Sequence, residues 1–338
     1  MGKILLTLNI ILFFVCFGAC SENESFDADS WKKLKFPQDT PIIPRFDQNN
    51  NFRILQLTDI HYDQSDYENT IQQNIKDLVT LSNPDLIILT GDIVTGQPAT
   101  FRWVKFALFL AELKVPYLIT LGNHDSQYLL SREDLYEMIR GFSYCLNNEY
   151  EDPEAFLPGD MAVPVLSRQS EEPETILYLF DSNDYNNPEK QVGMRPAQTE
   201  WFKNKSSRYK AADLNNALVF MHVPLPQYRE ATDKIKQGWV GNRGENECVG
   251  LDGDGFFEAL KHPGNVYGIF CGHDHYNDYV IKYEGIALCY GRKSGSHNTY
   301  QRYPSGGRII DLHAGEKGFS TYIIDCVGNR THAYQFIP

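Results

Sequence analysis

Short clusters of aspartate, histidine and asparagine recur along the chain, and each follows an apolar run with the length of a buried strand. These clusters are Asp59-Ile60-His61, Gly91-Asp92, Gly122-Asn123-His124-Asp125, His222 and Gly272-His273-Asp274-His275. One strand-end aspartate is often a helix cap, and one histidine is often a hydrogen-bonded structural residue. Five such clusters in the same position relative to their strands instead indicate one shared site, because ligand sites of parallel sheets lie beyond the carboxyl ends of the strands.

The segments between the clusters alternate between strand and helix patterns. Helices are predicted over 67–81, 100–113 and 131–140, the last with Ser131 as N-cap, between the strands FRILQLTD, DLIILTGD and VPYLITLG. This β-α-β-α-β order implies parallel strands with helical crossovers.

The second half of the chain is richer in strands. The predicted strands are TILYLFD, NALVFMH, NVYGIFCG, YVIKY, GIALCYG, GRIIDL and FSTYIID, with one helix after Pro196 and antiparallel pairing at the end. Two long polar stretches, 145–172 and 228–254, are predicted to be surface loops at the mouth of the site. The order favours an α/β fold, a four-layer α-β-β-α sandwich with two mixed sheets flanked by helices.

The first twenty residues, MGKILLTLNIILFFVCFGAC, combine a basic residue, an apolar run too short to span a bilayer comfortably and a small-residue end. They are predicted to be a signal peptide over 1–20, and FGAC resembles a bacterial lipobox, so Cys20 becomes the lipidated first residue. A plain cleaved signal peptide is the alternative. Residues 21–50 are predicted to be a tether and 51–338 the folded domain. The protein is expected to be exported, either as a lipoprotein of the outer membrane, cell surface or periplasm, anchored to the membrane through Cys20, or as a secreted protein.

The net charge limits which molecules the protein can bind, and the cysteine pattern limits which disulfides it can form. The formal net charge is −13, and loss of Lys3 with the signal peptide makes it −14. No specific nucleic-acid binding is therefore expected, and an anionic substrate needs local attraction, which bound cations would supply. Strand-like surroundings of Cys271 and Cys289 argue against a disulfide framework, with one pair, Cys145 with Cys248, left as an alternative. A monomer is expected.

The D-x-H, G-D, G-N-H-D, H and G-H-x-H blocks, in this order, resemble the calcineurin-like metallophosphoesterase superfamily over residues 52–312. LQLTDIHY, LTGDIVTG, YLFDSNDY, FMHVPLPQY and GIALCYGRKSG are most similar to its purple acid phosphatase-like branch. The resemblance implies a first metal ion held by Asp59, His61, Asp92 and His275, and a second held by Asp92, Asn123, His222 and His273.

The donor types suit two divalent or trivalent ions, of Fe, Mn or Zn, because they combine carboxylate and carboxamide oxygens with imidazoles and include no thiolate. In purple members of the branch a tyrosine follows the second aspartate by three residues, whereas this chain has Thr95. A tyrosinate–iron centre is therefore not expected, and the identity of the metals stays open.

Further roles follow from the same resemblance. His124 would contact the phosphoryl oxygens or protonate the leaving group, with Asp125 orienting it, and a structural role is the alternative for His124. His222 has a structural alternative too, since it ends a strand before Val223-Pro224. Other candidates are Asp278, either supporting His275 or capping at the surface, and His297 as a substrate contact. Arg292 and Lys293 are expected to meet the phosphate or to be solvated.

These features predict a hydrolase of phosphate esters, phosphomonoesters first, that acts through a hydroxide bound to the dinuclear metal centre and forms no covalent enzyme intermediate. A phosphodiesterase or nucleotide-pyrophosphate hydrolase with the same metal core is the alternative among enzymes. A non-catalytic surface-binding lipoprotein is the alternative from another class. It would be marked by a broken ligand set, and no position of the set is broken in this sequence.

Overall fold

The computed structural model describes residues 42–63, 67–127, 130–150, 152–185, 191–211, 214, 216–297 and 299–338. The predicted signal peptide, Cys20 and residues 21–41 of the predicted tether lie outside these residues. In the described part of the chain, no helix has both the length and the apolar character needed to cross a membrane.

The first of two six-stranded sheets joins the amino-terminal and carboxyl-terminal parts of the chain in the order β14-β13-β12-β1-β2-β3. Its strands are β1 (Asn51–Leu57), β2 (Leu86–Thr90), β3 (Tyr117–Thr120), β12 (Gly306–His313), β13 (Phe319–Asp325) and β14 (Arg330–Phe336). Strands β1 to β3 are parallel, connected through helices α1 (Glu68–Ser82) and α2 (Ala99–Leu113), whereas β12 to β14 pair antiparallel.

The second sheet has the order β10-β11-β9-β7-β5-β4. Its strands are β4 (Met161–Leu166), β5 (Pro173–Leu179), β7 (Ala217–Phe220), β9 (Val266–Cys271), β10 (Val280–Tyr283) and β11 (Ile286–Tyr290). The four inner strands are parallel and the two edge strands antiparallel, so both sheets are mixed. The remaining elements are α3 (Arg132–Ile139), a 3₁₀ turn (Asn147–Tyr150), β6 (Gly193–Met194), α4 (Pro196–Ala211), α5 (Pro226–Lys234), β8 (Leu251–Asp252) and α6 (Phe256–Lys261).

Two apolar cores define the layers. Between the sheets, residues such as Ile54 and Ile88 of the first sheet share a buried cluster with Phe220 of the second. A second cluster joins the other face of the second sheet to α4, α5 and α6. On the outer side of the first sheet, α1 buries Ile71 and Ile75, spaced one helical turn apart, and packs on β12 and β13. The predicted four-layer α-β-β-α sandwich is confirmed.

The predicted helices over 67–81, 100–113 and 131–140 agree with α1, α2 and α3 to within one residue at each end, and Ser131 caps α3 by accepting the backbone N–H of Asp134. The two predicted loops are wrong in part. The stretch 145–172 contains β4, an edge strand that tolerates Pro164 because an edge residue does not need its N–H for the ladder. The stretch 228–254 contains most of α5 and all of β8.

The end of the predicted tether is part of the domain. Phe46 is buried, and its N–H donates to the carbonyl of Leu166 at 3.0 Å. The N–H of Leu166 in turn donates to the carbonyl of Pro44 at 2.9 Å. The folded domain therefore begins before residue 51, because these residues lie along β4.

Candidate metal centre

The carboxyl ends of parallel strands from both sheets face one site. Asp59 and Asp92 each follow their strand, β1 or β2, by two residues, and Asn123 follows β3 by three. From the second sheet, His222 and His273 each follow β7 or β9 by two residues. The sandwich thus brings together side chains that lie more than two hundred residues apart along the chain.

Six side chains at this site form two groups in which all potential ligand atoms lie within 4.8 Å of one another. The groups are Asp59, His61 and His275, and Asp92, His222 and His273. In the first, the Nε2 atoms of His61 and His275 are 3.1 Å apart, and Oδ1 of Asp59 lies 3.5 Å from Nε2 of His275. Two nitrogens bound to one ion at about 2.1 Å, with roughly 90–110° between the bonds, lie about 3.0–3.4 Å apart, so this spacing suits one cation.

The Asp92 carboxylate lies between the two groups. Its Oδ2 is 3.7 Å from Nε2 of His61 and 3.3 Å from Nε2 of His222, while its Oδ1 accepts the backbone N–H of His124 at 2.9 Å. One carboxylate oxygen therefore faces both donor groups, which is the arrangement expected for a bridging ligand.

Two buried polar atoms in the site lack a hydrogen-bond partner within the described part of the chain: Oδ1 of Asn123 and Nε2 of His222. Nδ1 of His222 donates to the carbonyl of Thr90 at 2.8 Å, so Nε2 is the ring nitrogen directed at the site, and it offers a lone pair once a cation displaces its proton. Leaving a buried acceptor such as Oδ1 of Asn123 without a partner costs about 1–3 kcal/mol, and a cation bound between these atoms would remove that cost. The donor set therefore fits a dinuclear metal centre, and hard oxygens with imidazoles suit ions such as Fe, Mn or Zn.

The electrostatics of the site also favour bound cations. Burial lowers the pKa of His61 to about 3 and, with the positive charge on His222, that of His273 to about 4, so both imidazoles are neutral ligands at pH 7. Burial also disfavours the charged form of His222, but the charges of Asp92 and Asp59 outweigh it and raise its pKa to about 10. A proton held this firmly occupies a place where the carboxylates stabilise positive charge.

Four of the candidate ligand residues have left-handed backbone conformations, with φ of 52° at Asp59, 49° at His61, 50° at Asp92 and 77° at His273. Such conformations cost a non-glycine residue on the order of 1–3 kcal/mol and persist where neighbouring structure enforces them. Here the N–H of Asp59 donates to the carbonyl of Gly91 and that of His61 to the carbonyl of Asp92, so each loop holds the other.

Gly122 lies where only a glycine fits. A Cβ at this position would be 2.2 Å from Oδ1 of Asp92 and 2.3 Å from its backbone nitrogen. The absence of a side chain thus lets the loop that carries Asn123 approach the Asp92 carboxylate closely.

His124 lies at the partly exposed edge of the centre, with its ring centroid 6.0 Å from that of His61. Nε2 of Gln127 donates to its Nδ1 at 2.7 Å, and because an amide nitrogen only donates, His124 carries its proton on Nε2. The prediction that Asp125 orients His124 is wrong. Both Asp125 oxygens accept backbone N–H groups instead, from Ile93 and Val94 at 2.7 and 3.0 Å and from Gly122 at 2.7 Å.

Asp278 and Arg292 belong to a separate buried ion pair. The guanidinium of Arg292 donates to Oδ2 of Asp278 and to the carbonyl of Pro304, and Asp278 also faces His332 and accepts from Asn242. The predictions that Asp278 supports His275 or caps at the surface, and that Arg292 meets the phosphate or is solvated, are therefore wrong. The physical reason is burial, since each charge is enclosed with the other as its partner.

Lys293 and His297 are placed differently from each other. Lys293 is buried rather than solvated, and its Nζ donates to the carbonyl of Asp59 at 2.9 Å, behind the candidate ligand. His297 is exposed, with its ring 6.1 Å from that of Tyr67, and its contact with a substrate stays a prediction.

Sequence reasoning missed Tyr300 and Arg132. The Tyr300 ring stacks on His275 with centroids 4.0 Å apart, and its carbonyl accepts from Nδ1 of His275 at 2.9 Å, which directs Nε2 of that histidine into the site. Arg132 joins the carbonyl of Gly122 to the Asp181 carboxylate. No local pattern signals these contacts, because Tyr300 lies 25 residues from His275 and Arg132 lies 49 residues from Asp181.

Comparisons with known proteins agree with this geometry. A family model described as calcineurin-like phosphoesterase matches residues 52–277. Among curated relatives, "Probable inactive purple acid phosphatase 14" of Arabidopsis thaliana is 28% identical over 87% of this chain and 80% of its own length. "Phosphatase DCR2" of Saccharomyces cerevisiae is 25% identical over 80% of this chain and 53% of its own length. A dimetal phosphatase from Danio rerio shares the fold, with a TM-score of 0.58, 13% identity and coverage of 84% of this chain and 98% of its own.

Proposed function

The chain belongs to the calcineurin-like phosphoesterase family, and from this premise we propose that it is a metal-dependent hydrolase of phosphate esters with a preference for phosphomonoesters. The observation that carries the proposal is the pair of buried donor groups that share Asp92. Residues of these groups would hold two ions, with Asn123 completing the second set.

Two bound cations would supply the activated nucleophile and neutralise charge that develops on the phosphoryl oxygens. The chain's own residues would position the substrate and provide a proton donor. Asp92 holds the loop of His124 through the backbone N–H of that residue, and Gln127 fixes the proton of His124 on Nε2. His124 would donate a hydrogen bond from this Nε2–H to the phosphoryl group or to the leaving oxygen, whereas full transfer of a proton to the leaving oxygen would require the imidazolium form, in which both ring nitrogens are protonated.

The names of three Arabidopsis relatives describe those proteins as probably inactive purple acid phosphatases. A non-catalytic surface-binding protein is the corresponding alternative for this chain. Hydrolysis is favoured because every position of the candidate donor set holds a ligand type and the donors converge. A protein that kept the scaffold alone would have no need for buried acceptors without partners such as Oδ1 of Asn123.

Metal analysis coupled to hydrolysis tests the proposal. Purified protein is stripped of metal, reloaded separately with Mn²⁺ or Fe²⁺, and assayed with p-nitrophenyl phosphate and bis-p-nitrophenyl phosphate. We expect two equivalents of metal per chain and faster hydrolysis of the monoester. Asp92→Asn should lose both metal and activity, whereas the matched change Asp233→Asn, at an exposed position of α5, should lose neither. Faster hydrolysis of the diester would replace the monoester assignment, and two equivalents of metal without any hydrolysis would favour the binding protein.

His124 is tested separately because it is not a candidate ligand. His124→Asn should keep the full metal content and lower kcat by about 10²–10⁴-fold, the range in which a positioned acid contributes. Unchanged kinetics in a metal-replete variant would remove His124 from the mechanism.

We further propose that the protein acts outside the cytoplasm, anchored through a lipid on Cys20. The support is the amino-terminal sequence alone, which ends in FGAC. Growth with an alkyne-tagged fatty acid should label the wild type and not Cys20→Ser, and the wild type should fractionate with membranes. A secreted, unlabelled wild type would indicate a plain cleaved signal peptide.

A further inference from the structure

A third group of metal-ligand atoms lies at the edge of the centre. Cys248, His273 and Asp274 offer a sulfur, a nitrogen and an oxygen within 4.8 Å of one another. This group differs in chemistry from the two groups of the centre, which contain only nitrogen and oxygen donors. It shares one residue with them, because His273 also belongs to the group of Asp92 and His222.

The structure holds Asp274 and Cys248 together. The backbone N–H of Cys248 donates to both oxygens of the Asp274 carboxylate, at 3.3 and 3.1 Å, and the hydroxyl of Tyr290 donates to Oδ2 at 2.6 Å. Asp274 is only 4% exposed, whereas the side chain of Cys248 is exposed. The thiol is thus accessible from solvent while the carboxylate beside it is fixed.

The segment that carries Cys248 is anchored on its amino-terminal side. Glu247 is buried and accepts from Arg243 at 2.7 and 2.9 Å and from the hydroxyl of Tyr279 at 2.8 Å, and its carbonyl accepts from Arg229. Arg243 belongs to the same segment, whereas Arg229 and Tyr279 come from two other parts of the chain. The position of Cys248 beside His273 is therefore set by tertiary structure.

The charge balance favours a cation at this edge. Within the described part of the chain, Asp274 has no lysine or arginine at ion-pair distance, and its hydrogen bonds come from neutral groups. A buried carboxylate without a positive partner is costly, and a bound cation supplies that partner.

We propose that Cys248, His273 and Asp274 form a binding site for a thiophilic divalent cation, Zn²⁺ or Cd²⁺, and that its occupation inhibits the adjacent centre. Zinc accepts sulfur, nitrogen and oxygen donors together, with water completing a tetrahedral set, and a thiolate selects it over Mn²⁺ or Mg²⁺. Inhibition follows because an ion held by Cys248 and Asp274 competes for His273 or places a second positive charge next to it. The inhibitory consequence rests on the proposed hydrolase function, whereas the binding itself does not.

Cadmium titration tests the site without any activity measurement. The full-length protein is first loaded with Mn²⁺, and Cd²⁺ is then added while the ultraviolet absorption of cadmium–thiolate bonds is recorded. We expect one saturating thiolate signal in the wild type, its loss in Cys248→Ser, and its retention in Cys326→Ser, the matched control at a partly buried thiol. Asp274→Asn should weaken Cd²⁺ binding by about 10- to 100-fold while leaving the thiol in place.

A thiolate signal that persists in Cys248→Ser, or no signal in the wild type, would overturn the proposal. The inhibitory step is tested by adding excess Zn²⁺ to the Mn²⁺-loaded enzyme during hydrolysis of p-nitrophenyl phosphate. The wild type should be inhibited at Zn²⁺ concentrations about tenfold or more below those needed for Cys248→Ser, with equal activities before zinc is added. Equal sensitivity of the two proteins would refute inhibition through this site. An enzyme without activity but with the cadmium signal would refute the hydrolase proposal alone.

Discussion

Replacing Asp125 with asparagine distinguishes two roles for a residue next to the proposed acid His124. If Asp125 oriented His124, the variant would stay folded and metal-replete and would lose turnover. The structure instead shows Asp125 joining two loops that carry candidate metal ligands, since one oxygen accepts from Ile93 and Val94 and the other from Gly122. We therefore expect losses of stability and metal affinity that precede any effect on the chemistry.

The size of the effect follows from the three bonds. An asparagine oxygen can still accept from Ile93 and Val94, but its NH₂ group then faces the N–H of Gly122, and two donors cannot pair. One buried N–H left unsatisfied costs about 1–3 kcal/mol, and loss of charge assistance in the other two bonds adds roughly 1 kcal/mol. A cost of about 2–4 kcal/mol corresponds to a fall in Tm of roughly 4–8 °C for a domain of this size.

Calorimetry of the Asp125→Asn protein, with metal analysis after dialysis, measures both quantities. Asp47→Asn is the matched control. Asp47 also accepts two backbone N–H groups, from Asn49 and Asn51, but through one oxygen and at the surface, so an amide oxygen can replace it. We expect an unchanged Tm for the control. A normal Tm and full metal content in Asp125→Asn, combined with low turnover, would refute the loop-joining role and restore orientation of His124.

Three further predictions follow. Gly122→Ala places a Cβ 2.2 Å from Oδ1 of Asp92 and should lose at least one equivalent of metal; full occupancy by elemental analysis would contradict the close approach. Tyr300→Ala should weaken metal binding about tenfold in chelator competition, because it removes the ring stacked on His275, whereas Tyr300→Phe keeps the ring and should not. Equal losses of metal affinity in the two variants would show that the stacked ring does not support metal binding. Burial raises the pKa of Asp160 from 3.8 to about 8, so the folded state holds a proton that the unfolded state releases between these pH values. Its contribution to stability is complete below about pH 4 and is lost towards pH 8, by up to about 1.4 kcal/mol per pH unit. Urea unfolding should therefore show a steeper fall with pH for the wild type than for Asp160→Asn, and equal slopes would contradict the shift.

Local sequence patterns predicted the layers and the positions of the donors, because both depend on strand periodicity and on residues directly after strands. His222 and His273 could be placed in this way although they come from the second sheet. The patterns failed where a residue's partner is distant. Arg292 looked like an anion ligand, yet its partner Asp278 lies fourteen residues away in the chain and encloses the charge.

Two edge strands, β4 and β14, were not predicted from the sequence. Strand β4 contains Pro164 and follows a polar stretch, and β14 alternates polar residues with partly buried ones, so neither has the apolar run that identifies a central strand. Both strands lie at the edges of their sheets, where one side of the backbone does not need a partner strand. Their pairing is decided by the neighbouring strand, which local sequence does not reveal.

Several features of the site are energetically unfavourable, and local sequence patterns do not reveal them. Left-handed conformations at Asp59, His61, Asp92 and His273, and the acceptor without a partner at Asn123, are each unfavourable by roughly 1–3 kcal/mol. Hydrogen bonds between the loops hold these conformations, but none of those bonds supplies the positive charge that the donors lack. Bound cations would do so at the point where strands of both sheets end, so metal binding and the packing of the two sheets should stabilise each other.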